Sequence, residues 1–212
     1  MKSLSRNVNI PAGTVSLPGV LDIPEGASGI VLFAHGSGSS RFSPRNNFVA
    51  EVLRKRGLGT LLMDLMTQEE DQDYRRRFDI DLLVTRLLAA TLWLQEHDET
   101  RNLKIGYFGG STGAAAAVES AAKLENQVSA VVSRGGRVDL ALPYLDQLKA
   151  PTLLIVGGLD NGVIEINQQA FDKIKAVKKL EIVSGASHLF EEPGTLETVA
   201  TLSANWFVKY LR

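Results

Sequence analysis

The chain has 212 residues, 44% of them hydrophobic and 22% charged, and its 23 Lys plus Arg against 24 Asp plus Glu leave a net charge of −1. That balance argues against nucleic-acid or anionic-membrane partners, both of which call for a basic face. Cysteine is absent, which removes disulfides, thiolate nucleophiles and cysteine-ligated zinc together.

The length suits one compact α/β domain over residues 1–212. No apolar run is long enough to span a bilayer, and the first ten residues lack a signal-peptide core. A cytoplasmic protein is the default expectation. Val8 to Ile23 alternates loosely and is broken by Pro11, Gly13, Pro18 and Gly19, which reads as an antiparallel hairpin at a sheet edge. Gly29 to His35 is a continuous apolar run, the pattern of a strand covered on both faces. A Gly-Ser loop, Gly36 to Ser40, leads to a helix over about Pro44–Arg56. Leu58 to Asp64 is a second apolar strand. The charged stretch Thr67 to Arg77 reads as a solvated loop or helix face, with the option of flanking a site. Asp79 to His97 carries apolar residues at helical spacing with acids in its first turn.

Lys104 to Val118 is the centre of the chain. An apolar strand ends in Gly109-Gly110-Ser111-Thr112-Gly113, and four alanines open the next helix. Gly-x-Ser-x-Gly is the pattern of a serine on a sharp strand-to-helix turn, where neighbours without a Cβ leave room for strained backbone angles. Strand Val128–Ser133, the loop Arg134 to Arg137, a short helix over about Leu140–Leu148 and strand Thr152–Val156 follow. After Gly157-Gly-Leu-Asp160 come a helix over about Val163–Ile174, a last strand Lys179–Val183, the loop Ser184 to His188, and a final helix opened by Pro193. Strands alternating with helices predict a mostly parallel sheet with helices on both faces and a site at the strands' C-terminal ends.

Ser111, Asp160 and His188 each stand just beyond a separate strand, in the chain order of the α/β-hydrolase triad. A serine hydroxyl needs a base, and the base needs a carboxylate to fix its tautomer. The backbone N–H groups of Thr112 and Ser37 are the expected oxyanion donors. Arg134 and Arg137 either hold backbone carbonyls or form a rim that attracts an anionic substrate group. His35 is expected to brace its loop, and His97 to sit idle at a helix C-terminus.

On His35-Gly-Ser-Gly-Ser-Ser40, Gly109-Gly-Ser-Thr-Gly113, Gly157-Gly-Leu-Asp160 and Gly185-Ala-Ser-His188 with Phe190-Glu-Glu-Pro-Gly194, the chain resembles serine α/β-hydrolases of the dienelactone-hydrolase-like branch. The resemblance implies an eight-stranded sheet with an antiparallel start and a catalytic Ser111, His188 and Asp160. Dienelactone hydrolase proper uses a cysteine nucleophile, so the dienelactone substrate does not carry over with the scaffold. The stretch between the Val128 and Thr152 strands is too short for a large cap domain, which implies an open site favouring short acyl esters or lactones. The expected activity is ester hydrolysis on a small-molecule substrate through an acyl-enzyme, with no cofactor. Two rivals stand beside it. One is a catalytically silent binding module on the same scaffold. The other is a dinucleotide-dependent enzyme built on Gly36-Ser-Gly38 and Asp64, in which Arg41 stands where a third glycine belongs. Oligomeric state is not legible.

Overall fold

A computed structural model describes residues 2–212. Eight strands form one sheet in the order β1-β2-β4-β3-β5-β6-β7-β8. They are β1 (Leu4–Ala12), β2 (Val15–Ile23), β3 (Gly29–Ala34), β4 (Gly59–Met63), β5 (Lys104–Gly110), β6 (Val128–Arg134), β7 (Thr152–Gly157) and β8 (Lys178–Val183). The β1–β2 hairpin pairs antiparallel with itself and with β4, and every other pairing is parallel. This is the expected α/β architecture.

The central strands are apolar throughout because both of their faces are covered. In β3, Ile30, Leu32 and Ala34 enter one core cluster while Val31 and Phe33 enter the other, the period-2 alternation of a strand between two layers. Helices α1 (Pro44–Lys55) and α5 (Thr195–Leu211) cover the Val31 face. Helices α2 (Ile80–Glu96), α3 (Thr112–Lys123) and α4 (Asn161–Lys173) cover the other. Local chemistry sets the helix starts. Ser43 caps α1 through the N–H of Asn46, with Pro44 as its first residue, and Asp79 caps α2 through the N–H of Leu82.

Four sequence expectations shift. The hairpin starts at Leu4, earlier than the alternation suggested, because its outer face is open to solvent and carries polar residues. The final helix starts at Thr195, since Gly194 takes a left-handed φ of 81° before it. The short helix expected over 140–148 is a 3₁₀ segment, Val138–Tyr144, with Pro143 inside it. The charged 67–77 stretch becomes two 3₁₀ turns, Glu70–Gln72 and Tyr74–Phe78, tied down by ion pairs. Glu70 meets Arg86 of α2 at 2.7 Å, and Arg77 meets Asp71 at 2.8 Å. No helix of the described residues is long and apolar enough to cross a membrane.

One close approach fixes the site-bearing edge. A Cβ on Gly113 would stand 2.2 Å from the Ala34 carbonyl oxygen and 2.5 Å from that of His35. Helix α3 therefore lies directly on the end of β3, which brings the loop after β3 beside the turn that opens α3. Both atoms in the way are backbone, so neither can swing aside. Gly113→Ala should lower stability toward the upper end of the ~1–3 kcal/mol typical of overpacking. Gly162→Ala in the first turn of α4, where nothing lies within 4 Å of the added methyl, should instead gain about 0.4–1 kcal/mol by restricting the unfolded chain. Urea midpoints of the two variants check the contrast.

Candidate active site

Ser111 occupies the turn between β5 and α3 with φ 51° and ψ −121°, one of three non-glycine residues at positive φ among those described. Such a conformation costs about 1–3 kcal/mol and persists where the surroundings fix it from several sides. Here the Ser111 N–H donates to the Arg134 carbonyl at 3.2 Å. The Ser111 carbonyl accepts from Ala114 N at 3.1 Å and Arg137 N at 3.0 Å. The loop after β6 thus clamps the strained serine from both sides. On the opposite flank, a Cβ on Gly36 would stand 3.0 Å from the Ser111 Cβ, so the loop after β3 touches the same turn.

Asp160 and His188 are brought together by two loops that run backbone against backbone. Leu159 N donates to the Ala186 carbonyl at 2.9 Å and Gly158 N to the Val183 carbonyl at 2.8 Å. A Cβ on Gly157 would meet the Ala186 and Ser187 carbonyls at 2.5 Å. The outcome is a 2.6 Å contact between His188 Nδ1 and Asp160 Oδ2. With Nδ1–H donated to that carboxylate, Nε2 is the free basic nitrogen. The imidazole lies over Gly135, where a Cβ would be 3.3 Å from Cε1 and Nδ1. Gly135 is the residue after Arg134, whose carbonyl holds Ser111, so serine and histidine share one supporting loop. A hydrogen bond between Ser111 Oγ and His188 is not among those formed.

Sequence reasoning missed what secures the histidine loop. Glu192 accepts the Ser187 N–H at 3.0 Å, and that bond is the first cause holding its carboxyl below the usual range. Phe190 adopts φ 56° and buries its ring among α1 and α5 residues, anchoring the loop from beneath. An aromatic and two acids directly after His188 were the available signal.

The two expected oxyanion donors lie side by side, with an unexpected link. Ser37 N–H donates to Thr112 Oγ1 at 3.1 Å, so the side chain of one donor residue engages the backbone of the other. His35 is buried and braces the loop: Leu65 N donates to Nε2 at 3.0 Å, and Nδ1 faces the Gly36 carbonyl at 3.0 Å. Loss of solvation lowers its pKa, keeping the ring neutral. His97 sits at the end of α2 stacked on Trp93, away from the site. Asp64 pairs with Arg41 through both the guanidinium and the backbone N–H, which occupies the carboxylate that a dinucleotide ribose would need.

Arg134 and Arg137 part company. Arg137 is half-buried and holds Asp139 in a two-pronged pair at 2.8 and 2.9 Å, so its charge is already answered. Arg134 is not on a rim. It sits at the end of β6 with 8% exposure, beneath the serine turn, its Nη2 only 2.6 Å from where a Gly110 Cβ would be. No carboxylate lies within salt-bridge distance among the described residues, and its Nε has no hydrogen-bond partner. Burial, followed by the neighbouring Arg45 charge, draws its pKa down to about 10. It remains charged at neutral pH.

Residues 18–206 match the profile of the Dienelactone hydrolase family. Two Mycobacterium tuberculosis proteins, from strains H37Rv and CDC 1551, are each 54% identical over 204 residues and named “Putative phosphoribosyl transferase”. The match covers 96% of this chain and 46% of theirs, so the chain spans about half the length of the curated relatives it matches. The crystal structure of a dienelactone hydrolase from Anabaena variabilis is 55% identical with a TM-score of 0.96, covering 100% of both chains. The Pyrococcus furiosus esterase structure shares the fold at 19% identity and TM-score 0.81, over 99% of this chain and 92% of that one.

The unfolded chain takes up a proton on His35 near pH 6.5, whereas the folded chain resists it. Stability should hold above about pH 6.5 and fall below it, with a slope approaching ~1.4 kcal/mol per pH unit. Urea midpoints from pH 7.5 to 5 should show that slope in the wild type and a flatter one in His35→Gln. Arg134→Met keeps most of the volume and removes an unpaired buried charge, so it should raise stability by about 1–4 kcal/mol. A destabilised variant with native circular dichroism would show that the guanidinium is better satisfied than its contacts indicate.

Proposed function

The chain belongs to the dienelactone hydrolase family, and we propose that it hydrolyses carboxylic esters through an acyl-enzyme on Ser111. The observation that carries this reading is the 2.6 Å bond that holds His188 Nδ1 to Asp160, beside a serine kept at φ 51°. Fold analogy supports the reaction class; the residue roles rest on this geometry.

In the proposed cycle His188 Nε2 takes the proton of Ser111 Oγ as that oxygen attacks the ester carbonyl carbon. The carbonyl oxygen gains the negative charge and is held by the N–H groups of Thr112 and Ser37. His188 then gives its proton to the departing alkoxide, leaving the acyl group on Ser111. A water, deprotonated by His188, attacks the acyl carbon; the acid departs and the proton returns to Ser111. Asp160 keeps the imidazole oriented and stabilises its protonated form throughout. The serine–histidine hydrogen bond forms as substrate binds, as catalytic contacts commonly do. In the unliganded state Ser37 N–H is engaged by Thr112 Oγ1, so the incoming carbonyl oxygen displaces that hydroxyl.

Between β6 and β7 there is only a loop and the Val138–Tyr144 segment, which supports an open site and short acyl esters as substrates. The transferase name of the mycobacterial proteins belongs to chains more than half of which lies outside the match, and the matched part is the hydrolase sheet. That name is therefore not extended to this chain.

Wild type and Ser111→Ala should be compared on p-nitrophenyl acetate. The variant should lose on the order of 10³-fold or more in kcat, and Asp160→Asn about 10⁴-fold, while both keep a native circular dichroism spectrum. Equal rates in wild type and Ser111→Ala would refute the nucleophile. A rate that climbs steadily with acyl length would refute the short-acyl assignment.

A further inference from the structure

Along the loop that follows β3 lies a cavity of about 500 Å³, lined by none of the residues used in the ester-hydrolysis cycle. That volume falls within the ~300–1,000 Å³ of small-molecule sites. One wall is the loop Ser39 to Phe42 after β3, which continues directly from Ser37. The facing wall is the stretch Met66 to Asp71 after β4, and the floor is formed by His35 and Asp64. The facing wall is secured from behind, since Glu70 caps Thr67 N at 2.8 Å and pairs with Arg86 at 2.7 Å.

The charges in this cavity cancel. Arg41 is taken by Asp64, Asp71 accepts Arg77 at 3.0 Å, and His35 is held neutral by burial with both ring nitrogens engaged. An ionic ligand finds no unanswered partner here. The remaining polar groups are of a different kind. Ser40 Oγ accepts the Phe42 N–H and Thr67 Oγ1 the Glu70 N–H, which leaves each hydroxyl proton free to be donated. The Ser39 hydroxyl and the Gln68 amide can both donate and accept. Pro18 and Met66 give the same cavity an apolar side, and Phe42 stands at it 67% exposed, its ring steadied by the Arg41 guanidinium 4.1 Å from the centroid.

Two-way hydrogen-bonding groups interspersed with apolar and aromatic ones on both walls match one ligand chemistry: an uncharged ring that carries several hydroxyls on its edge and C–H groups on its face. We propose that this cavity binds a neutral, hydroxyl-rich group such as a sugar ring, and that it is the subsite for the alcohol part of the ester. That it serves as a subsite rests on the hydrolase reading; that it binds such a group does not. A sugar seated there lies against the loop that follows Ser37, and the subsite role requires its acylated hydroxyl to point back along that loop toward the Ser37 N–H.

Binding is read first, on Ser111→Ala protein, by saturation-transfer NMR with methyl β-D-glucopyranoside as probe. Cyclohexanol, a ring with one hydroxyl, and glutarate, a dianion, serve as comparisons. Saturable glucoside binding that weakens at least fivefold in the Phe42→Ala/Gln68→Ala variant, and is blocked in Gln68→Trp, supports the site. No saturable binding, binding equal in all variants, or tighter binding of cyclohexanol or glutarate overturns it. Circular dichroism confirms that each variant is folded, and the two variants disturb the pocket in opposite ways, by emptying and by filling. Turnover is read second, as the ratio of kcat/KM for 6-O-acetylglucose to that for p-nitrophenyl acetate. The ratio should fall at least fivefold in Phe42→Ala/Gln68→Ala, and an unchanged ratio overturns the subsite. Glucoside binding with no ester turnover in the wild type would sink the hydrolase reading and leave the binding site standing. Turnover of p-nitrophenyl acetate without glucoside binding would do the reverse.

Discussion

A single strained residue organises the upper edge of this sheet. Ser111 is held at φ 51° by three backbone hydrogen bonds, one to the Arg134 carbonyl and two to its own carbonyl from Ala114 and Arg137. The conformation is unfavourable by about 1–3 kcal/mol, so it must be imposed. What imposes it is close packing on every side. Gly113 lets α3 rest on the end of β3, Gly36 lets the neighbouring loop touch the serine, and the loop after β6 closes the third side. The same loop supports His188 through Gly135. The strain and the assembly of the candidate site are one arrangement of backbone, and few side chains outside it can be changed to test it.

Much of this was legible because it depends on local pattern. Strands buried on both faces must be apolar throughout, which is why β3, β5 and β7 stood out. Glycines flanking a serine, and single acidic and basic residues just past strand ends, marked the loops that meet. What could not be read depends on partners distant in sequence. The stretch 67–77 is polar on paper, yet Glu70 is fixed by Arg86 sixteen residues on, and Arg86 reaches back to the Ala12 carbonyl at 2.6 Å. Nothing local to the stretch announces that. Arg134 and Arg137 look equivalent three residues apart. One ends a strand and is buried against Gly110, while the other leaves the loop and meets Asp139.

Arg134 bears on how such a site is maintained. A guanidinium removed from water without a carboxylate partner weakens the fold, since desolvation is not repaid. Its position beneath Gly110 places a fixed positive charge behind the turn on which negative charge would develop during acyl transfer. A charge held in advance at a largely buried position acts on a transition state more strongly than the same charge in solvent. Stability surrendered at a reactive centre is a recurrent trade-off in enzymes, and under the proposed role of Ser111 a buried arginine without a carboxylate partner beside it would have that character.

The link from Ser37 N–H to Thr112 Oγ1 carries the argument one step further. A backbone donor left unpaired in a half-buried loop would cost the desolvation of that group, about 1–3 kcal/mol. The threonine hydroxyl meets that need and, in the proposed cycle, holds the loop where the oxyanion would form. In the proposed cycle an incoming carbonyl oxygen would exchange one neutral acceptor for another at little net change, so ground-state binding would gain almost nothing from this donor. Once the oxygen carries charge the bond becomes charge-assisted and roughly twice as strong. A donor occupied by a neutral hydroxyl at rest therefore spends its extra strength on the charged state, and that difference between ground and transition state is what accelerates a reaction.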